Sequence, residues 1–527
     1  MKRNYIILII SCCIFCISCG HYLKEYSQDL VYASNCTDLD EIMIGDGYMT
    51  RLAEGSYAAR QLNYSDAGHY YPYLHIMDDD VEEFVTGEFV ETAPDNPVVL
   101  CRNFYTWQQN VHITIANKVF PDYDYPRLYK HIGYLNVIIS YVEEFKDDPE
   151  ELRRRVRGEA LFLRGAYYYL LVNLYAQPYV KETAEKDLGV PLNLTEYIED
   201  RHFSRNSVAE VYRQIIDDLK GAIENLEGIT QPSIYRADEL DARLLLSRVY
   251  LYMGDYQAAI DECNKIIDKG IALMDYNDLP KGSLVNTAAS PEIFFTQGSS
   301  CITLLMIDDS QKSSVGRYRV SDELYNLYSK YEEQDVTDLR KTLFFQSSLT
   351  EKDKFVAIKA SNNFRIPTTV FDAFMMRAAE VYLNKAEAQA MLDQNDATNT
   401  LRILMEKRYK GNKAPDISNL SGEALVKFIR EERRRELCFE GHRWFDLRRY
   451  AVAPKYPEKK EIKHNIYDPS SIYQGPGIYK GTYLLKEYGQ DNAWVMPIPD
   501  SELEFNEGLM IDNPKREERP MLGQTNE

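Results

Sequence analysis

Glu431–Tyr450 reads EERRRELCFEGHRWFDLRRY and mixes charge with aromatics as neither a plain surface helix nor a plain core helix does. Just upstream, Leu425, Phe428 and Ile429 start an apolar stripe at helical spacing. Carried on at about 3.6 residues per turn, the stripe lands on Glu432 and Glu436. A carboxylate on a core-facing stripe must be paired, because an unpaired buried charge is too costly. Arg433, Arg434, Arg435, Arg443, Arg448 and Arg449 supply partners. Gly441 is expected to break the helix, and His442–Arg449 to form a second, short one led by Trp444, Phe445 and Leu447. The expectation is a structural clamp: Glu432, Arg433, Glu436, Arg443 and Asp446 in an ion-pair network pinned under Trp444 and its aromatic neighbours.

Around this stretch lie 527 residues, 45% of them hydrophobic, enough for one large unit or several domains. A formal net charge of −21 argues against nucleic-acid binding, which needs a basic footprint. The arginine run 433–435 is spoiled as a phosphate track by its interleaved glutamates. Of nine cysteines, Cys12, Cys13, Cys16 and Cys19 fall in the first twenty residues, where iron–sulfur-like spacing sits inside a targeting segment. Cys36, Cys101, Cys263, Cys301 and Cys438 are scattered and odd in number, so at least one is free and no disulfide framework is indicated.

Residues 1–18 read as a signal peptide: Lys2 and Arg3 precede the apolar run Tyr5–Ile17, which is too short to span a bilayer. Cys16-Ile17-Ser18-Cys19-Gly20 resembles a bacterial lipobox, making Cys19 the lipid attachment point, with two or more acyl (palmitate) chains needed for a firm anchor. Residues 19–36 would be a tether. Thr37–Gln61 is expected to be a first helix. Gly158–Val180 is apolar nearly all round, as a buried helix is. Ser207 and Glu210 form a capping box opening the next helix. Leu240–Gly270 is a tetratricopeptide-like hairpin, with Tyr250, Gly254, Tyr256 and Ala259 at the offsets of that repeat. Residues 271–370 are the least regular, and binding residues usually sit on loops over a rigid scaffold. Phe374–Leu392 is expected to return to helix, with a partner over 396–408, and 451–490 to be loop.

Several stretches resemble the SusD/RagB family of outer-membrane lipoproteins. Glu432–Arg449 is similar to its ER-x-REL-x-FEG-x-RWFDLRR signature. Trp107–Asn117 (WQQNVHITIAN) resembles a family helix, with His112 and Thr114 as departures. Gly158–Val180, Phe374–Leu392 and Trp494–Asn513 resemble further family segments, though Pro514-Lys515-Arg516 replaces the family's closing Pro-Gly-Tyr. The resemblance implies a mostly α fold, tetratricopeptide-like repeats forming a scaffold and irregular insertions forming a ligand face. It implies an N-terminal region over 37–230 packed as one unit with a C-terminal region over 231–527. It also implies a protein lipid-anchored to the outer membrane, facing the exterior. Such a protein captures a nutrient, an oligosaccharide or alternatively a peptide, for a TonB-dependent (SusC-like) transporter. Tyr70, Tyr71, Tyr73, Asp79, Arg317 and Tyr318 lie in the two irregular regions that border the ligand site in relatives, and are the candidate ligand-binding residues.

The residues themselves do not favour an enzyme. Glu380 and Glu387 share a helix face but stand roughly 10.5 Å apart along the axis, beyond the separations of about 5–5.5 or 6.5–9.5 Å that glycosidases use. Glu432 and Glu436 are near enough, but their arginines would keep both ionised. Neither metallopeptidase, nucleophile-elbow nor phosphate-loop patterns occur. Asp78, Asp79, Asp80, Glu82 and Glu83 could offer oxygens to calcium but lack the spacing of a calcium loop, and a solvated acidic turn is expected. No cofactor and no metal site is expected. The rival readings are a tetratricopeptide scaffold that only assembles other proteins and a secreted hydrolase.

Overall fold

A computed structural model describes residues 33–52, 62–84, 97–114, 117–306, 318–359, 370–467 and 478–523. The expected signal peptide 1–18, the expected lipid attachment point Cys19, most of the expected tether 19–36 and Arg317 lie outside the described residues. Asn35 opens α1 (Cys36–Ile42) by accepting from the Thr37 and Asp38 N–H groups. A π-type turn over Met43–Gly47 follows, and Tyr48 is extended. The helix expected over Thr37–Gln61 therefore stops early, within a turn that carries two glycines.

The scaffold begins with α2 (Pro97–Tyr105), α3 (Asp124–Tyr141), α4 (Glu150–Tyr175), α5 (Val208–Leu226), α6 (Glu239–Met253) and α7 (Tyr256–Asp268). An insertion carries the short α8 (Ile302–Leu305), α9 (Asp322–Leu327) and α10 (Arg340–Leu343). The chain then forms α11 (Ala378–Met391), α12 (Ala397–Glu406), α13 (Gly422–Leu437), α14 (Arg443–Ala451) and α15 (Asp500–Phe505). Each main helix packs on the next in the stack: α3 on α4, α4 on α5, α5 on α6, α6 on α7, α7 on α11, and α11 on both α12 and α13. Helix pairs bury their faces only by stacking in this way.

Local chemistry explains the stack. Ser207 Oγ accepts from Glu210 N at 3.2 Å while Ser207 N donates to Glu210 Oε2 at 2.7 Å, the expected capping box. Gly254, at φ +76°, supplies the left-handed turn between α6 and α7. Val211, Ile215, Leu219 and Leu226 form the buried stripe of α5. Gly158 lets α4 approach it: a Cβ there would sit 2.6 Å from Leu226 Cγ.

Among the described residues, four two-stranded antiparallel ribbons decorate the helices. β1 (Val81–Glu83) pairs with β3 (Tyr318–Val320), and β2 (Ile293–Gln297) with β6 (Phe374–Arg377). β4 (Phe345–Ser347) pairs with β5 (Phe355–Ala357), and β7 (Ile462–Tyr467) with β8 (Tyr479–Leu485). Two expectations are corrected here. Helix begins at Ala378 rather than Phe374, because 374–377 is buried on both faces as a strand beside β2. Residues 451–490 are not all loop, because Ile462, His464 and Ile466 turn inward in alternation. A third concerns Trp107–Asn117, whose described residues are turn and loop with a bridge from Ile113 to Val119. Trp107 itself is left-handed at φ +49°, and its ring is fully buried as a core anchor.

The fold is mostly helical. One hydrophobic core runs from Cys36 to Met510 in sequence, and a second gathers α11, α12 and α13. Cys36, Cys101, Cys263, Cys301 and Cys438 are all free and buried. Among the described residues no helix is long and apolar enough to cross a membrane.

Candidate functional site

A network of buried charge fixes the interior around α13 and α14. Glu432 and Glu436 on α13 are wholly buried, and Trp444 is 2% exposed. Glu436 accepts from Arg340 Nη1 at 2.9 Å, Arg377 Nη1 at 2.7 Å and Arg408 Nε at 3.0 Å. Glu432 faces Arg340 at 2.7 Å and Arg435 at 2.7 Å. Burial alone would raise the Glu436 pKa, but Arg408, Arg377 and Arg340 hold it well below the usual carboxylate range. Such a carboxylate cannot serve as a general acid. On the neighbouring face, Arg433 donates to Asp446 at 2.8 Å and Arg449 makes two 2.7 Å bonds to Glu387. His442 Nδ1 lies 3.3 Å from Arg433, inside the same network. Gly441 is at φ +77°, but α13 has already ended at Leu437.

The acidic segment is the other half of the buried network. Asp78, Asp79 and Asp80 are buried, so the solvated turn expected there is corrected. Arg443 grips Asp79 with bonds of 2.7 and 2.8 Å, Arg434 binds Asp80 at 2.7 Å, and Lys460 reaches Asp79. These cations hold Asp79 well below its ordinary pKa against the opposing effect of burial. Asp78 makes no ion pair among the described residues, and burial, Asp80 and Asp79 push it well up against the weaker pull of Arg443. With three cations in place, the segment is a tie between α13, α14 and β1.

Two clefts flank the strap 108–110 where it meets the C-terminal segment 512–520. The larger, of about 680 Å³, is lined by Arg102, Asn103, Asn110, Asn117, Tyr483 and Arg519 among others. The second, of about 590 Å³, shares Gln109 and Asn110 and adds His112, Asp122, Asp500 and Arg516. Below them, the His464 ring stacks between Tyr105 at 3.9 Å and Trp107 at 4.2 Å. Trp107 Nε1 donates to Met77 O at 2.9 Å. Arg519 holds the tail down, donating to Trp107 O at 3.0 Å and to Asp491 at 2.7 Å. Arg516 donates to Val495 O at 2.9 Å and makes no ion pair among the described residues; burial lowers its pKa to about 10. Amides, guanidinium groups and one half-buried tyrosine in an open cleft suit a polyhydroxylated solute, whose hydroxyls need donors and acceptors and whose CH faces pack on a ring.

Known proteins similar to this chain share its fold. Residues 353–515 match the model described as the SusD family, and residues 73–251 match a SusD-like model described as starch-binding associating with outer membrane. The chain belongs to the SusD/RagB family. It is 26% identical to SusD-like protein P2 of Formosa agariphila over 441 residues, covering 74% of this chain and 79% of that one. SusD-like protein P25 of the same organism is 20% identical across 97% of this chain and 98% of its own length. A SusD superfamily protein from Bacteroides thetaiotaomicron superposes with a TM-score of 0.67 at 21% identity, covering 91% of this chain and all of that one. A SusD-like carbohydrate binding protein from Bacteroides vulgatus superposes with a TM-score of 0.63 at 20% identity, over 90% and 97% of the two chains. These structures share the fold.

Within this SusD/RagB chain the ring candidates from the sequence sit inside the protein. Tyr70, Tyr71, Tyr73 and Tyr318 are at most 2% exposed, so in this structure they present no face to a solute. Each is drawn inward by a partner distant in sequence. Tyr70 OH meets His131 Nε2 at 2.8 Å, Tyr71 OH donates to Ala373 O at 2.7 Å, Tyr73 stacks on Phe104 at 4.3 Å, and Tyr318 packs on Tyr105 at 4.9 Å. Asp79 belongs to the ion-pair network and borders a separate hollow of about 300 Å³ with Glu323 and Lys460. Asn103, Asn110, Tyr483 and Arg519 were not singled out from the sequence. Their only local signal was polar composition, and a tertiary contact between residues nearly 400 apart brings them together.

Proposed function

We propose that this SusD/RagB chain is a nutrient-binding protein of the outer membrane that captures an oligosaccharide in the paired clefts beside the strap 108–110. Acyl chains on Cys19 would hold it at the membrane, facing the exterior. From there it would pass its ligand to a SusC-like TonB-dependent transporter. The observation that carries this reading is the cleft of Asn103, Asn110, Tyr483 and Arg519, in a family whose models include one described as starch-binding. Candidate contacts elsewhere, Arg317 among them, remain part of the proposal. The buried, arginine-paired Glu432 and Glu436 favour binding over hydrolysis.

A peptide is the second reading, favoured by the charge in the smaller cleft, where Asp500, Asp512 and Lys515 could pair with peptide termini. The test is a binding screen of the full mature chain against soluble oligosaccharides, peptides and detergent-solubilised SusC-like transporter. Saturable glycan binding without release of reducing ends supports the first reading. Peptide binding alone selects the second. Binding of the transporter with no solute overturns both in favour of an assembly scaffold.

A further inference from the structure

We propose that His75, Cys301 and Asp372 form a buried zinc site that ties the turn 72–75 to the stretches 299–306 and 370–377. One ligand atom from each residue lies within 4.8 Å of the others, although the three are far apart in the chain. His75, Cys301 and Asp372 are 3%, 1% and 4% exposed, so the cluster is shut off from bulk water. His75 Nε2 and Asp372 Oδ1 are 3.8 Å apart. That gap is too wide for a hydrogen bond. It is close to the separation of roughly 3.4 Å between two donors on one tetrahedral zinc with bonds of about 2.0–2.2 Å.

The donor set selects the metal. Sulfur, imidazole nitrogen and one carboxylate suit zinc, whereas calcium and magnesium take oxygen alone. The ligands are also oriented from outside. Asp372 Oδ1 accepts from Cys301 N at 3.0 Å and Oδ2 accepts from Ile302 N at 3.2 Å. Asp372 N donates to Ser300 Oγ at 3.2 Å, and Phe371 N donates to Thr296 Oγ1 at 2.9 Å. Such outer partners fix ligand geometry in zinc sites. Zinc would displace the Cys301 thiol proton to solvent and leave one tetrahedral position for water or a backbone carbonyl. Tyr71 OH already donates to Ala373 O one residue on, so the metal would reinforce an existing seam. The inference is independent of what the clefts bind.

The test is metal analysis of the full mature chain after zinc loading and exhaustive dialysis, paired with cobalt substitution. The expected result is one zinc per chain, and a sulfur-to-cobalt charge-transfer band in the cobalt form. Cys301→Ser should abolish the band and His75→Gln should lose the zinc. Chelation of the wild type should lower its melting temperature, and added zinc should restore it, a readout that needs no variant to fold. Zinc well below one per chain would overturn the site. So would a cobalt form without a thiolate band, or undiminished zinc in Cys301→Ser, either of which places the metal elsewhere and leaves a plain hydrogen-bonded cluster.

Discussion

Glu436 shows what one buried charge demands of its neighbours. Three guanidinium groups converge on it, and its backbone carbonyl accepts from Lys359 at 2.6 Å. Glu436→Gln leaves these cations short of a counter-charge. It should cost about 3–5 kcal/mol in urea unfolding, the cost of breaking a buried pair by removing one partner. That requirement was legible in the sequence, since the apolar stripe from Leu425 runs onto Glu432 and Glu436. The fate of Tyr70, Tyr71 and Tyr73 was not, since a polar-looking tyrosine run becomes core only when remote partners meet its hydroxyls. One of those partners gives a pH signature. His131 donates from Nδ1 to Asp46 O at 2.5 Å and accepts at Nε2 from Tyr70, and burial lowers its pKa from 6.5 to about 4. The unfolded chain then binds a proton that the folded chain refuses between those values, so stability falls as pH drops through that window. At pH 5 this one group should cost about 2 kcal/mol relative to pH 8. His131→Gln should make the dependence of melting temperature on pH between 7 and 5 shallower, and an unchanged slope would contradict the assignment.

Among the elements, α4 and α5 illustrate contact by absence. An exposed helical glycine changed to alanine gains about 1 kcal/mol. At Gly158 the new Cβ would stand 2.6 Å from Leu226 Cγ, and Asn225 Cβ would lie 3.1 Å away. Gly158→Ala should therefore destabilise by about 1–3 kcal/mol through overpacking, measurable by thermal unfolding. Helices with caps or long apolar faces, such as α4, α5 and the α6–α7 hairpin, were readable from periodicity. The ribbons were harder. β6 shares its residues with what looks like the start of α11, and β7 hides its alternation behind an inward His464. The turn at Trp107 defeats the helical pattern because Val111, Ile113 and Thr114 are β-branched and the tryptophan is left-handed.

At the scale of the molecule, two clefts lie at the junction of an early strap and the C-terminal tail. This juxtaposition is what the sequence could not display, because Asn110 and Arg519 meet only through the completed fold. The clamp is the scaffold's work, and the cleft residues are the solute's. Tyr483→Ala should accordingly weaken oligosaccharide binding about tenfold, roughly 1.4 kcal/mol, while leaving the melting temperature within a degree or two. The most direct measurement is calorimetric titration of soluble oligosaccharides into the full mature chain and into Tyr483→Ala and Asn110→Ala. The account predicts saturable binding of at least one oligosaccharide by the wild type and marked weakening in both variants with the fold intact. It is contradicted if no oligosaccharide binds, or if both variants bind as tightly as the wild type.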